Sequence, residues 1–280
     1  MKVSFSTLGC PDWTLPQILS VAVREGYDGI ELRFVGGDAA LWRRPEFTGA
    51  GLTESVSRLS DAGLVVCCLD TSCFFHHPAS AQRREALEEG ERMVALAASL
   101  GAPGIRVFGD RVQAGATREA TEAWIAEGLQ ALGERARAAG LEVWLETHGD
   151  FASGRATADI LARAPGGGIG VVWDPANAFA EFGEAPAEGL RVLGDRVRHV
   201  HLKDVRPPAV QPAPASTPWE PVLMDGGCFP ARDVIGLLDR AAYGGFVSFE
   251  WEKRWHPAIE EPEIALPHFA AWFRRVRAAG

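Results

Sequence analysis

Residues Glu142–Lys203 read EVWLETHGDFASGRATADILARAPGGGIGVVWDPANAFAEFGEAPAEGLRVLGDRVRHVHLK. Three short strand-like runs in this stretch stop on residues able to bind a metal: VWL on Glu146, VVW on Asp174 and RHV on His201. A fourth run, VSF, stops on Glu250. Helix-length intervals separate the four. One such residue would carry little meaning, because a strand-end carboxylate often caps the next helix. Four in the same position of successive β-runs predict one site at one end of a parallel barrel, the face where barrels of this kind carry their chemistry.

Outward from that stretch the rhythm continues. Further strands are predicted at Lys2–Ser6, Gly29–Arg33, Leu64–Asp70 and Gly104–Phe108, with the later ones at Glu142–Thr147, Ile169–Asp174, Val197–Lys203 and Phe246–Trp251. Helical periodicity fits Leu15–Glu25, Thr53–Ala62, Ala81–Leu100, Thr117–Ala139, Ala156–Ala164, Ala187–Leu193, Ala231–Ala241 and Ile264–Ala278. Glycines at 26, 63, 101, 140 and 244 punctuate the helix ends. Alternating strands and helices imply a parallel sheet with helical crossovers. The fold class is therefore α/β, a single (β/α)8 TIM barrel over residues 1–280, and no GxGxxG follows the first strand to favour an open dinucleotide-binding sheet. Pro207–Pro221 (PPAVQPAPASTPWEP) breaks the pattern and reads as a Pro-rich mouth loop, either a lid or a surface insertion.

Composition narrows the partners. A net charge of −9 argues against nucleic acid, whose binding rests on clustered Lys and Arg. No run of apolar residues reaches the roughly eighteen needed to span a membrane, and the N-terminus enters a strand without a secretory hydrophobic region. The five cysteines lack zinc-ribbon spacing and read as reduced. A cytoplasmic enzyme acting on a small molecule is the resulting expectation.

Residues two apart on a strand share a face. Glu146 thus shares one with His148, His201 with His199 and Lys203, and Glu250 with Ser248 and Glu252. Three carboxylates and one imidazole form an oxygen-rich set suited to one divalent ion, Mn2+ first, with Mg2+, Co2+ and Zn2+ as alternatives. Each ligand also has a plainer reading: Asp174 as a helix cap, Glu146 and Glu250 as ion-pair partners, His201 as a hydrogen-bonded core histidine. Lys203 would neutralise a substrate oxyanion or pair with Glu250 or Glu252, and His148 would bond a substrate hydroxyl or orient Glu146. Arg33 and His77 are candidates for distal substrate groups. A Glu31–Arg106 salt bridge and a simple His76–His77 loop pair are the structural alternatives there. Trp13, Trp42, Trp219 and Trp255 fall in predicted mouth loops.

HVHLKD (His199–Asp204), WDPAN (Trp173–Asn177), LETH (Leu145–His148) and GFVSFEWE (Gly245–Glu252) resemble the xylose isomerase-like barrel superfamily, and within it the sugar phosphate isomerase/epimerase group. The resemblance covers nearly the whole chain. It implies that Glu146, Asp174, His201 and Glu250 bind one divalent metal, and that Glu146 and Glu250 move a substrate proton. Two features depart from the ketose 3-epimerase pattern: Asn177 stands where a histidine is common, and the expected arginine after His201 falls near Arg206.

The leading expectation is a metal-dependent isomerase or epimerase of a small sugar or keto-polyol, working through a metal-stabilised enediolate. Next stands a metal-dependent dehydratase (lyase) of a keto-inositol or related substrate. An apurinic endonuclease-like nuclease ranks below both, since it needs several more histidines and the fourth strand ends RVFG without one. A non-catalytic binding module sits poorly with a complete ligand set. Asn177, with His148, Lys203, Glu252, Arg33 and His77, completes the set of predicted substrate contacts. A homo-oligomer is an expectation by resemblance only.

Overall fold

The computed structural model describes residues 1–208 and 219–279. Eight parallel strands close into a barrel: β1 (Lys2–Ser6), β2 (Gly29–Leu32), β3 (Val65–Phe74), β4 (Gly104–Phe108), β5 (Glu142–Glu146), β6 (Ile169–Trp173), β7 (Val197–Leu202) and β10 (Phe246–Phe249). The remaining two, β8 (Asp204–Arg206) and β9 (Glu220–Val222), form a separate antiparallel pair beyond the end of β7. They bring together the two ends of the Pro-rich segment expected as a mouth loop over 207–221, of which residues 209–218 lie outside the described residues.

Helices α1 (Leu15–Glu25), α2 (Gly49–Asp61), α3 (Ser80–Leu100), α4 (Arg118–Ala138), α5 (Gly154–Arg163), α6 (Pro175–Phe182), α7 (Pro186–Leu193), α8 (Ala231–Arg240) and α9 (Pro262–Ala279) follow the strands in chain order. Local chemistry explains several ends. Thr14 and Gln17 form a capping box at the start of α1, and Gly26 closes it in the left-handed region. Thr117 caps α4 and Ser153 caps α5.

Besides the β8–β9 pair, three elements differ from expectation. Helix α6 was not foreseen, because PANAFAEF is too short to show a helical period between a strand and a second helix. Helix α2 begins at Gly49, where Gly-Ala-Gly hides the start. Strand β3 runs on past Asp70 to Phe74 with a shift in its pairing against β4, which carries Ser72 and Phe74 to the mouth.

The outward faces of the strands pack under the helices. Phe5 meets Tyr27 edge-on at 4.8 Å, and Phe249 stacks on Phe269 of α9 at 4.4 Å. Each such buried aromatic or aliphatic side chain contributes about 1.5–3 kcal/mol. The inside of the barrel differs. Trp144 lies there with Cys68 and Val172, stacked on His199 at 5.9 Å. A Cβ at Gly104 would come within 2.5 Å of its indole, and one at Gly170 within 2.9 Å. Two strands thus give up side chains so that one indole can sit beneath the site. Among the other inward residues, Glu31, Asp70, Arg106, Glu146, His199 and His201 are buried and ionisable. Burying that many such groups is costly unless they are paired or hold an ion.

Candidate active site

Barrel closure brings together the four residues that end β5, β6, β7 and β10. One donor atom from each of Glu146, Asp174, His201 and Glu250 lies within 4.8 Å of the others, and all four residues are buried. Asp174 does two things at once. Its Oδ1 accepts the backbone N–H groups of Ala176 (2.9 Å) and Asn177 (3.0 Å), capping α6, while Oδ2 lies 2.7 Å from Lys203 Nζ. The helix-cap reading and the cluster reading therefore both hold for one side chain. Thr147 Oγ1 accepts the Asp174 N–H at 2.7 Å, and Asn177 Nδ2 donates to Thr147 O at 3.2 Å, which ties the ends of β5 and β6 together.

His201 lies between two groups of carboxylates. Its Nε2 is 3.1 Å from Glu31 Oε1, whereas Nδ1 faces Glu250 (3.3 Å) and Glu146 (3.6 Å). Glu31 also accepts from His199 Nε2 at 2.5 Å across 168 residues of sequence. Burial would raise Glu31, but His201 and His199 hold it well below the usual carboxylate range. His201 is held well above its usual value by Glu31, Glu250 and Glu146 against the opposing effect of burial.

The Glu31–Arg106 bridge, the structural alternative for these residues, is not formed. Arg106 instead pairs with Asp70 (3.0 Å) and Glu146 (3.1 Å), and its guanidinium stacks on Phe108 at 4.0 Å. Lys203 Nζ reaches Glu250 and Glu252 at 2.6 Å each, besides Asp174. Burial alone would lower its affinity for a proton, yet Asp174, Glu250 and Glu252 hold it well above the ordinary lysine value. The ion-pair reading of Lys203 is thus present in the geometry, with both Glu250 and Glu252 as partners.

A cavity of about 420 Å3 opens on this cluster, lined by Arg33, Arg106, Glu146, His148, Lys203, Glu250 and Glu252 among others. A second, of about 730 Å3, shares His148, Lys203 and Glu252 with it and adds Asn177, Trp219 and His256. Of the predicted substrate contacts, His77 is the exception. It lies edge-on to His76 at 4.4 Å and lines neither cavity.

Sequence reasoning missed Asp110. Its Oδ1 lies 2.9 Å from His148 Nδ1, and both residues line the first cavity. Burial would lower His148, but the hydrogen bond to Asp110 and the charge of Glu146 raise it above the usual histidine value. Asp110 adopts a φ of 62°, and its carbonyl accepts from Asp150 N at 2.7 Å. Gly149 makes this possible: its φ is +57°, and a Cβ there would sit 2.2 Å from Asp110 O. The available signal was the acid in RVFGD, just past the end of β4.

A match to the xylose isomerase-like TIM barrel family model extends over residues 19–276. The chain belongs to the xylose isomerase-like TIM-barrel family. Within it, an inosose dehydratase from Klebsiella pneumoniae subsp. pneumoniae is 29% identical over 235 residues, covering 71% of this chain and 73% of the relative. Among solved structures, the 3-keto-D-glucoside 4-epimerase YcjR from E. coli superposes with a TM-score of 0.76 at 16% identity, covering 99% of each chain. The IOLI protein with a bound zinc atom superposes at 0.78 with 17% identity, covering 99% of this chain and 97% of that one. One of these relatives is a dehydratase and one of these structural neighbours an epimerase, so more than one reaction is found on this barrel.

The residues present fit a divalent cation. Around the cluster the buried acids Glu31, Asp70, Glu146, Asp174 and Glu250 outnumber the buried Arg and Lys side chains, Arg33, Arg106 and Lys203. Glu146 Oε2, Asp174 Oδ2 and His201 Nδ1 are buried and face one another across the cluster, held by the ion-pair contacts to Arg106, Lys203 and Glu250 rather than by well-aligned hydrogen bonds. Three buried carboxylates converging on one imidazole repel one another, a cost that a cation held between them would relieve. No helix among the described residues is long and apolar enough to cross a membrane.

Proposed function

We propose that this protein is a divalent-metal-dependent lyase that dehydrates a cyclic keto-polyol, with Glu146, Asp174, His201 and Glu250 holding one ion, Mn2+ ahead of Mg2+, Co2+ and Zn2+. The observation that carries the reading is the Asp110–His148 pair beside that cluster. Elimination of water needs a base for the carbon-bound proton and an acid for the departing hydroxyl; here a carboxylate and an imidazole held by a second carboxylate border one cavity. The inosose dehydratase relative points the same way.

Bound at the cluster, a divalent cation supplies Lewis-acid polarisation of the substrate carbonyl. A carboxylate oxygen of Glu146 or Glu250 takes the proton from the carbon next to that carbonyl. The electron pair left behind forms the new carbon–carbon double bond as the β-hydroxyl departs, and His148 gives that hydroxyl its proton, so water leaves. Asp110 fixes the ring through Nδ1, leaving Nε2 to act as the donor. Lys203, held cationic by three carboxylates, offsets the negative charge that develops on substrate oxygen. The proton gained by the carboxylate and the one lost by His148 re-equilibrate with solvent.

The isomerase or epimerase reading keeps one specific support: Glu146 and Glu250 both reach the cluster from different strands, as a proton-in, proton-out pair would. NMR of a keto-inositol and ketose panel in deuterated water, with the Mn2+-loaded enzyme, tests the proposal. An enone or its tautomer supports dehydration. Solvent deuterium in a recovered or epimerised sugar, without loss of water, would replace it with the epimerase reading.

A further inference from the structure

Arg33 stands apart from the other cations of the site. Arg106 is paired with Asp70 and Glu146, Arg111 with Asp110, and Lys203 with Asp174, Glu250 and Glu252. Arg33 lines the same cavity, is 7% exposed, and forms no ion pair among the described residues. Residues 209–218 (AVQPAPASTP) contain no acid that would supply one. Its Nη2 donates to Ser72 Oγ at 2.9 Å, while Nη1 is buried without a hydrogen-bond partner.

The arrangement is held in place. Thr7 Oγ1 accepts the backbone N–H of Arg33 at 2.8 Å, and Ser72 N donates to Glu89 Oε1 at 2.7 Å. The Arg33 guanidinium lies over the Phe34 ring at 4.7 Å, and Arg254 lies over the same ring at 5.3 Å. The barrel has thus buried a guanidinium at the cavity wall and supplied it with a ring and a hydroxyl; Asp70 and Glu89 act on it through their charge, but no acid among the described residues is in ion-pair contact with it. Such a group is expensive to bury unless an anion completes it.

We infer that Arg33 and Ser72 form a subsite for a carboxylate carried by the substrate, so that the keto-polyol of the proposed function is an acid and not a neutral ring. Nη1 of Arg33 and the Ser72 hydroxyl supply two donors, which matches the two oxygens of a carboxylate. One guanidinium balances one negative charge; a phosphate, with close to two, would want a second cation. The inference rests on the keto-polyol reading for the location of the reacting carbons, but not on whether water is lost.

Calorimetric titration of the Mn2+-loaded enzyme with quinate, its methyl ester, myo-inositol and myo-inositol 1-phosphate tests it. Quinate is expected to bind at least about tenfold tighter than methyl quinate. In Arg33→Gln this preference disappears while Mn2+ still binds at one per chain. If Arg33→Gln does not fold, the wild-type pair decides alone. Equal affinity for quinate and its ester, binding of neither, or a preference that survives Arg33→Gln overturns the subsite. Tighter binding of myo-inositol 1-phosphate than of quinate overturns the choice of carboxylate. Because Mn2+ binding is measured separately, failure of the metal-centred reading appears as loss of Mn2+ binding, whatever quinate does.

Discussion

Asp110 Oδ1 lies 2.9 Å from His148 Nδ1, joining the loop after β4 to the end of β5 at the wall of the cavity. A carboxylate in this position selects the imidazole tautomer and fixes its plane, leaving the other ring nitrogen for substrate. Asp110→Asn keeps the shape and removes the charge. It is expected to lower kcat by about ten- to a hundredfold with little change in KM, and His148→Ala by about a hundredfold or more. Mn2+ stoichiometry, measured alongside, should stay the same in Asp110→Asn. An unchanged kcat in both variants would remove His148 from the chemistry.

Chelation gives a second prediction. Dialysis against EDTA should abolish turnover, and Mn2+ should restore it. Ligand binding to the folded state also stabilises it, by about 2.7 kcal/mol at a free concentration a hundred times Kd. The thermal midpoint should therefore rise with Mn2+ concentration in the wild type and respond far less in Asp174→Ala, which also loses the cap of α6. A midpoint indifferent to every divalent ion would argue that the cluster binds none.

Glu146→Gln and Glu250→Gln separate ligation from proton transfer. Each keeps the volume and one donor oxygen, but a carboxamide is no base at neutral pH. We expect each to reduce kcat by at least about a hundredfold. Exchange of the substrate's carbon-bound proton with deuterated water, followed by NMR, should vanish in whichever variant has lost the base and persist in the other. Full turnover in both would sink the proposed mechanism.

Gly149→Ala is a stability test of the loop junction. The backbone there has φ +57°, and the added methyl would sit 2.2 Å from Asp110 O, so strain and a steric clash act together. The expected loss is about 2–4 kcal/mol, read from urea unfolding followed by circular dichroism. Because the clash falls on Asp110 itself, kcat should also drop in the fraction that stays folded. Gly140→Ala is a useful comparison: its φ is +79° but nothing lies within 4 Å of the new Cβ, so it should cost only the conformational strain of about 1 kcal/mol.

Much of the barrel was legible because its signals are local. Strand ends, helix periods and glycine caps are written within windows of ten to twenty residues, and the predicted strands fall on the eight observed in the barrel. Helix α6 escaped since eight residues opening on Pro175 show less than three turns of pattern. The run-on of β3 to Phe74 escaped because its last residues pair irregularly with β4.

The same division holds at the site. That Glu146, Asp174, His201 and Glu250 would meet followed from the sequence alone, because a parallel barrel sends every strand end to one face and the period of two fixes which side chains look inward. Which partner each charge takes did not follow. Arg106 chose Asp70 and Glu146 over Glu31, Glu31 took His199 and His201 from the far side of the barrel, and Asp110 found His148 through a turn that only Gly149 permits. Those choices depend on distances of about 3 Å between residues far apart in the chain. They are set by how the closed barrel and its loops pack, and the tertiary structure alone decided them.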